Sequence, residues 1–241
     1  MSGGEVRAER LSPTVLDAAI QRSSIVYIPL GSLEFHGPHL PIGLDSFTAH
    51  GVCIAAAEQS GGIVLPVVYQ GTGGGHGDYP WSIMMLDGVA LAAHLRSTLD
   101  RLADFGVRTA VLFTGHFAPE QLDLIDQIAA AWNGAETGRL RVMATGVNRC
   151  PDAPIPPDHA GVFESTLLSA VAPELVHLEM LPAYAQHPSV DPDGDSYGLH
   201  RHDPSHPLWG VFGPDPRPAD LSHAPELLAH LGAWLATLAQ D

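Results

Sequence analysis

Hydrophobic positions along this chain switch between two periods. The segments at 25–30 (IVYIPL), 63–69 (IVLPVVY), 109–114 (TAVLFT) and 140–145 (LRVMAT) have the length of strands and show little polar alternation, as strands covered on both faces do. Between them the apolar residues return at helical spacing. Ser12 and Pro13 read as the N-cap and first residue of a helix to about residue 21. A second helix starts near Asp45 and stops before Gly61–Gly62, with Phe47, Val52, Ile54 and the alanines 55–57 as its apolar positions. A third covers 89–105, with Leu91, Leu95, Leu99 and Leu102 in one stripe and Gly106 as its stop, and a fourth covers 120–132. Strands alternating with helices in this way predict an α/β fold with a largely parallel sheet and helices on both faces. Functional groups then gather beyond the carboxyl ends of the strands.

The character of the chain changes after Asn148. A proline-rich stretch leads to a helix over about 162–171, and the segment 182–217 reads almost wholly as loop before a last helix from Ser222 and Pro225 to 238. A loop that long in a compact domain serves as a lid, a binding element or an oligomer contact. A second glycine-rich loop, GTGGGHGDYPW at 71–81, is built to run close to a ligand or to another backbone segment.

At 241 residues, 45% of them hydrophobic, the whole chain from 1 to 241 can bury one core as a single domain. No apolar run reaches about 18 residues and the N-terminus has no hydrophobic stretch, so a cytoplasmic protein is expected, with no membrane partner. The formal charge of −16 disfavours nucleic acid and anionic lipid surfaces alike. There is no lysine, which removes Schiff-base and Walker-type phosphate chemistry, whereas histidine numbers 14. Cys53 and Cys150 lack metal-knuckle spacing and are expected to be reduced.

Four residues stand out against this background. Glu34 and His36 are two apart in an extended stretch just past the first strand, so their side chains share a face. Asp45 opens the following helix, and His116 leaves the end of another strand at the same sheet edge. Two carboxylates and two imidazoles there suit zinc, manganese or iron, the alternative being solvated loop residues.

The segment GSLEFHGPHLPIGLD resembles the signature GSxEQHGPHLPxxxD of the creatininase (creatinine amidohydrolase) family. GTGGGHGDYPWS, TGHF, DHAGVFEST and GVFGPDPR are similar, in the same order, to that family's GxSxEHxxFPGT, NGHxxN, HAGxxETS and GVxGDPR. The resemblance implies a three-layer α/β/α fold, assembly as a homo-oligomer such as a hexamer, and two divalent metal ions per subunit that activate a bridging water to hydroxide. It implies Glu34, Asp45 and His116 as ligands of one ion, with His36 and Asp45 as ligands of the other, Asp45 bridging. Creatininase has a further glutamate ligand two residues past the NGH histidine, where this chain has Ala118. Glu164, from the HAGxxETS motif, is the candidate replacement, with Glu120 as its rival.

By the same resemblance His159 is the catalytic histidine, the alternative being a cap for the 162–171 helix. His76 either contacts substrate or fixes the glycine loop, and Phe117 and Trp81 are expected in the substrate pocket. His39 reads as a structural hydrogen-bonding residue rather than a ligand. The implied activity is opening of a small cyclic amide. Loss of both NGHxxN asparagines, and Trp81–Ser82 in place of Gly-Thr, point away from creatinine itself. Hydrolysis of a C–C bond in a cyclic diketone, a metal-binding protein without turnover, and peptide processing are the other readings.

Overall fold

The computed structural model describes residues 4–75, 79–135, 139–188 and 198–240. Four strands, β1 (Ile25–Leu30), β2 (Ile63–Val64), β3 (Thr109–Thr114) and β4 (Arg141–Gly146), form one sheet in the order β2-β1-β3-β4. Every pairing in it is parallel. Six α-helices accompany it among the described residues: α1 (Pro13–Arg22), α2 (Leu44–Ser60), α3 (Val89–Asp104), α4 (Pro119–Gly134), α5 (Val162–Val171) and α6 (Ala224–Gln240). Their ends lie close to the positions that the caps and glycines predict.

The strands are apolar throughout because each side of the sheet has its own helical layer. Tyr27, Val111 and Phe113 point into a core completed by Val52 and Ala56 of α2, Phe163 of α5 and Leu231 and Leu235 of α6. Their strand neighbours Val26, Ile28, Ala110 and Leu112 point the other way, onto Leu91, Leu95 and Leu99 of α3 and Ile125 and Ile128 of α4. The result is a three-layer α/β/α domain. No helix among the described residues is long and apolar enough to cross a membrane.

One strand is shorter than its sequence suggests. The apolar run 63–69 pairs regularly only at Ile63 and Val64, and resumes as an isolated bridge between Val68 and Leu30. Leu65 donates to the Tyr27 carbonyl, and a parallel ladder would next need Pro29 to donate to Leu65. Proline has no N–H to give. Pro66 adds a second interruption, and Val68 rather than residue 67 donates to the Pro29 carbonyl. Within 182–217 the described residues form turns and one short 3-10 segment, Leu199–His202, without strand or α-helix. Cys53 and Cys150 are free and buried.

The glycines that follow β1 and β3 bring α2 to the sheet edge. A Cβ on Gly31 would stand 2.2 Å from Ser46 Oγ and 2.4 Å from Ser46 N, and one on Gly115 would stand 2.2 Å from the Asp45 carbonyl oxygen. Only a bare backbone lets the first turn of α2 lie against both strand ends. Gly115→Ala is therefore expected to cost about 3 kcal/mol or more, the upper range for overpacking, because the obstacle is backbone. A denaturant midpoint equal to that of the parent would contradict this close-packing account.

Candidate metal centre

Beyond the ends of β1 and β3, five buried side chains converge. Glu34 and His36 come from the extended segment after β1, His116 from the residues after β3, Asp45 from the first turn of α2 and Glu164 from the first turn of α5. None is more than 4% exposed. Both carboxylates on helices sit at N-termini, where unpaired N–H groups and the helix dipole favour negative charge. Asp158 caps α5 by accepting from the N–H groups of Gly161, Phe163 and Glu164, which fixes where Glu164 emerges.

The five residues divide into two sets that share Asp45. Glu34, Asp45 and His116 present ligand atoms within 4.8 Å of one another, and so do His36, Asp45 and Glu164. Asp45 turns a different oxygen to each. Its Oδ1 lies 3.2 Å from His36 Nε2, and its Oδ2 lies 3.3 Å from His116 Nδ1. His116 Nδ1 is also 2.9 Å from Glu34 Oε2, and His36 Nε2 is 3.6 Å from Glu164 Oε2.

The donor atoms suit a cation. His36 Nδ1 donates to the Glu34 carbonyl at 3.0 Å, so Nε2 is the nitrogen that would give up its proton to take a metal ion. That Nε2 is buried and makes no hydrogen bond. Three carboxylates within one buried site require compensating positive charge. Burial alone would lower the pKa of His36, but Asp45 and then Glu164 raise it to about 10. His116 is likewise penalised by burial yet raised to about 10 by Asp45 and Glu34. Burial would raise Asp45, but the imidazoles of His36 and His116 hold it below the usual carboxylate range. Glu164 goes the other way, pushed up chiefly by burial. The site is acidic at its centre and imidazole-lined at its edges, a mixed oxygen and nitrogen set of the kind zinc and manganese accept.

A cavity of about 240 Å³ opens onto this set. Glu34, Asp45, His116 and Glu164 line one side, with Gly74, Phe117, Ala118, Pro119 and His159 around the rest. The His159 ring stacks on His36 with centroids 4.4 Å apart, and its Nε2 donates to the Phe35 carbonyl at 3.1 Å. Phe117 lines the cavity. Trp81 does not: it is 78% exposed, in a surface turn with φ 62°, outside the lining. Its neighbour Ser82 is the one that reaches inward, accepting from the Phe35 N–H. His76 lies outside the described residues. Glu120 is also elsewhere, its carboxylate accepting from the Gly74 N–H at 3.2 Å. His39 joins no ligand set and donates through Nε2 to the Ala160 carbonyl at 3.1 Å.

Some supporting residues escape a reading of motifs for ligands alone. Ser32 Oγ donates to Asp45 Oδ2 at 2.5 Å, and Gln121 ties the Gly31 carbonyl to the Thr114 hydroxyl, which in turn donates to the His116 carbonyl. Ser32 carried a usable signal, since it lies two residues before Glu34 and so on the same face of the extended segment.

A buried carboxylate and imidazole cluster at the carboxyl edge of a parallel sheet defines a candidate metallohydrolase. The family model for creatinine amidohydrolase matches residues 9–239, and the chain belongs to the creatininase family. It is 28% identical over 176 residues to the creatinine amidohydrolase of Pseudomonas putida, a match covering 64% of this chain and 67% of that one. It is 29% identical over 161 residues to the mycofactocin precursor peptide peptidase of Mycolicibacterium smegmatis, covering 62% of this chain and 59% of the peptidase, less than two thirds of its length. A crystal structure of creatinine amidohydrolase superposes with TM-score 0.76 at 24% identity, over 97% of this chain and 96% of the other. Related creatininase structures of zinc–zinc and manganese type share the fold at the same TM-score.

Proposed function

We infer that the protein is a metal-dependent hydrolase that opens a small cyclic amide, with a pair of divalent ions held between Glu34, His36, Asp45, His116 and Glu164. The observation that carries this reading is Asp45, whose two oxygens face two separate ligand sets. The cavity of about 240 Å³ suits a small substrate, and the kinship with a creatinine amidohydrolase supplies the reaction class.

What such an ion pair supplies when bound is Lewis acidity towards a carbonyl and a water acidified towards neutral pH. The chain does the rest. Asp45 spaces the two sets, and the Nδ1 bond of His36 keeps its other nitrogen aimed at Asp45 and Glu164. His159, with its neutral-ring proton on Nε2 at the Phe35 carbonyl, has Nδ1 as the nitrogen that can accept a proton and pass it to the departing amine. Phe117, Ala118 and Pro119 present apolar surface that limits water around the substrate.

The test pairs metal content with turnover of a panel of lactams and cyclic imides. Glu164→Gln is expected to lower bound zinc or manganese from two ions per chain towards one and to reduce turnover by about 100-fold or more, whereas Glu120→Gln stays within about threefold of the parent. Elemental analysis of both variants reads this out. Full metal content in Glu164→Gln, or loss in Glu120→Gln, would reverse the assignment.

A further inference from the structure

His39 is fully buried, belongs to neither ligand set, and takes no part in the chemistry above. Its side chain hydrogen-bonds to the Ala160 carbonyl, and that residue is unusual. Ala160 is a buried non-glycine residue with φ 57°, a left-handed conformation that a residue with a Cβ keeps only when its surroundings hold it there. Its peptide groups are held from both ends: the Ala160 N–H donates to Glu164 Oε2 at 2.6 Å, and the Ala160 carbonyl accepts from His39 Nε2 at 3.1 Å. Glu164 Oε2 is the same oxygen that lies 3.6 Å from His36 Nε2. The preceding residue, His159, is the histidine on the cavity wall. Leu40, next to His39, packs in one apolar cluster with Ala160 and Leu168, so the two turns are joined by packing as well as by the hydrogen bond.

We propose that His39 is a positioning residue: by holding the Ala160 carbonyl it sets the strained turn that aims Glu164 at the His36–Asp45 ligand set and His159 at the cavity. The histidine must donate, because a carbonyl only accepts, so the function resides in one N–H at one place. Glutamine can supply an equivalent donor at similar reach. Leucine cannot.

This rests on the metal-centre reading, and the test separates the two. Metal-stripped full-length protein is titrated with cobalt(II) and followed by visible absorbance, alongside amide hydrogen exchange of residues 159–164 without metal. The parent is expected to bind two cobalt ions per chain. His39→Leu keeps one site within about threefold and weakens the other by about 10- to 100-fold, the range for lost outer-shell support. It also speeds exchange across 159–164, while His39→Gln restores both readouts to near parental values. Parental affinity and exchange in His39→Leu would overturn the proposal, as would a His39→Gln that binds and exchanges like His39→Leu. If the parent binds no cobalt, the metal-centre reading fails, and unchanged exchange in His39→Leu overturns the positioning role independently.

Discussion

Asp45→Asn should abolish hydrolysis, lowering kcat/KM by more than about 1,000-fold, while leaving the protein folded. The substitution keeps the shape of the side chain but replaces one anionic oxygen with an NH₂ group that cannot ligate. Asp45 is the residue common to both ligand sets, so the loss is felt at both. Glu34 and His116 lose their shared partner on one side, and His36 and Glu164 lose theirs on the other. Metal content is expected to fall below one ion per chain, a larger loss than removal of Glu164 alone produces. The fold should tolerate the change because α2 is anchored elsewhere, through Val52, Cys53, Ala56 and Ala57 in the main core. The checks are elemental analysis, steady-state turnover and a circular dichroism melt on the same preparation. An Asp45→Asn variant that retains two ions and at least a tenth of parental activity would refute the bridging role.

The sequence makes some of this architecture readable and leaves other parts hidden, for physical reasons. β1 and β3 are legible because both faces are buried, so each is an unbroken apolar run ended by a glycine at the sheet edge. The helix ends are legible because Pro13, Gly61 and Gly106 mark them locally. β2 is not, because its length depends on Pro29 in the neighbouring strand as well as on Pro66 in its own, and hydrophobicity does not report a missing donor across a sheet. Glu34, His36, Asp45 and His116 can be placed near one another from strand ends and spacing. How they divide into two sets comes from the family resemblance and not from strand ends and spacing, since it depends on which oxygen of Asp45 faces which imidazole. Glu164 and Glu120 each lie in the first turn of a helix, so helix position does not separate them and only the motif around Glu164 favours it along the chain. Asp158 orients the first turn of α5 towards the centre, whereas the Gly74 N–H engages Glu120 outside the ligand sets. Trp81 looks like a pocket residue because of the motif around it, yet its turn carries the indole to the surface.

Replacing His159 separates proton transfer from metal holding. His159→Ala is expected to reduce kcat by about 100- to 10,000-fold, the range for a lost general acid–base group, with two ions still bound and KM changed by less than about fivefold. Metal should be retained because the five residues of the two Asp45-sharing sets do not include His159. The ring also forms part of a third group with Glu34 and His36, so an alternative is that it ligates rather than transfers protons. The two roles differ in what they do to composition and to leaving-group dependence. A proton donor matters most when the departing amine is strongly basic, so the defect in His159→Ala should shrink along a series of cyclic amides and imides with progressively more acidic nitrogen. A ligand would instead cost metal and impair every substrate by a similar factor. The stacking of His159 on His36 at 4.4 Å, with Nε2 committed to the Phe35 carbonyl, favours the proton-transfer role. That bond directs one nitrogen to the backbone, leaving Nδ1 as the proton-accepting nitrogen of the neutral ring. Loss of an ion from His159→Ala, with a rate defect that is flat across the series, would assign the residue to the metal centre instead.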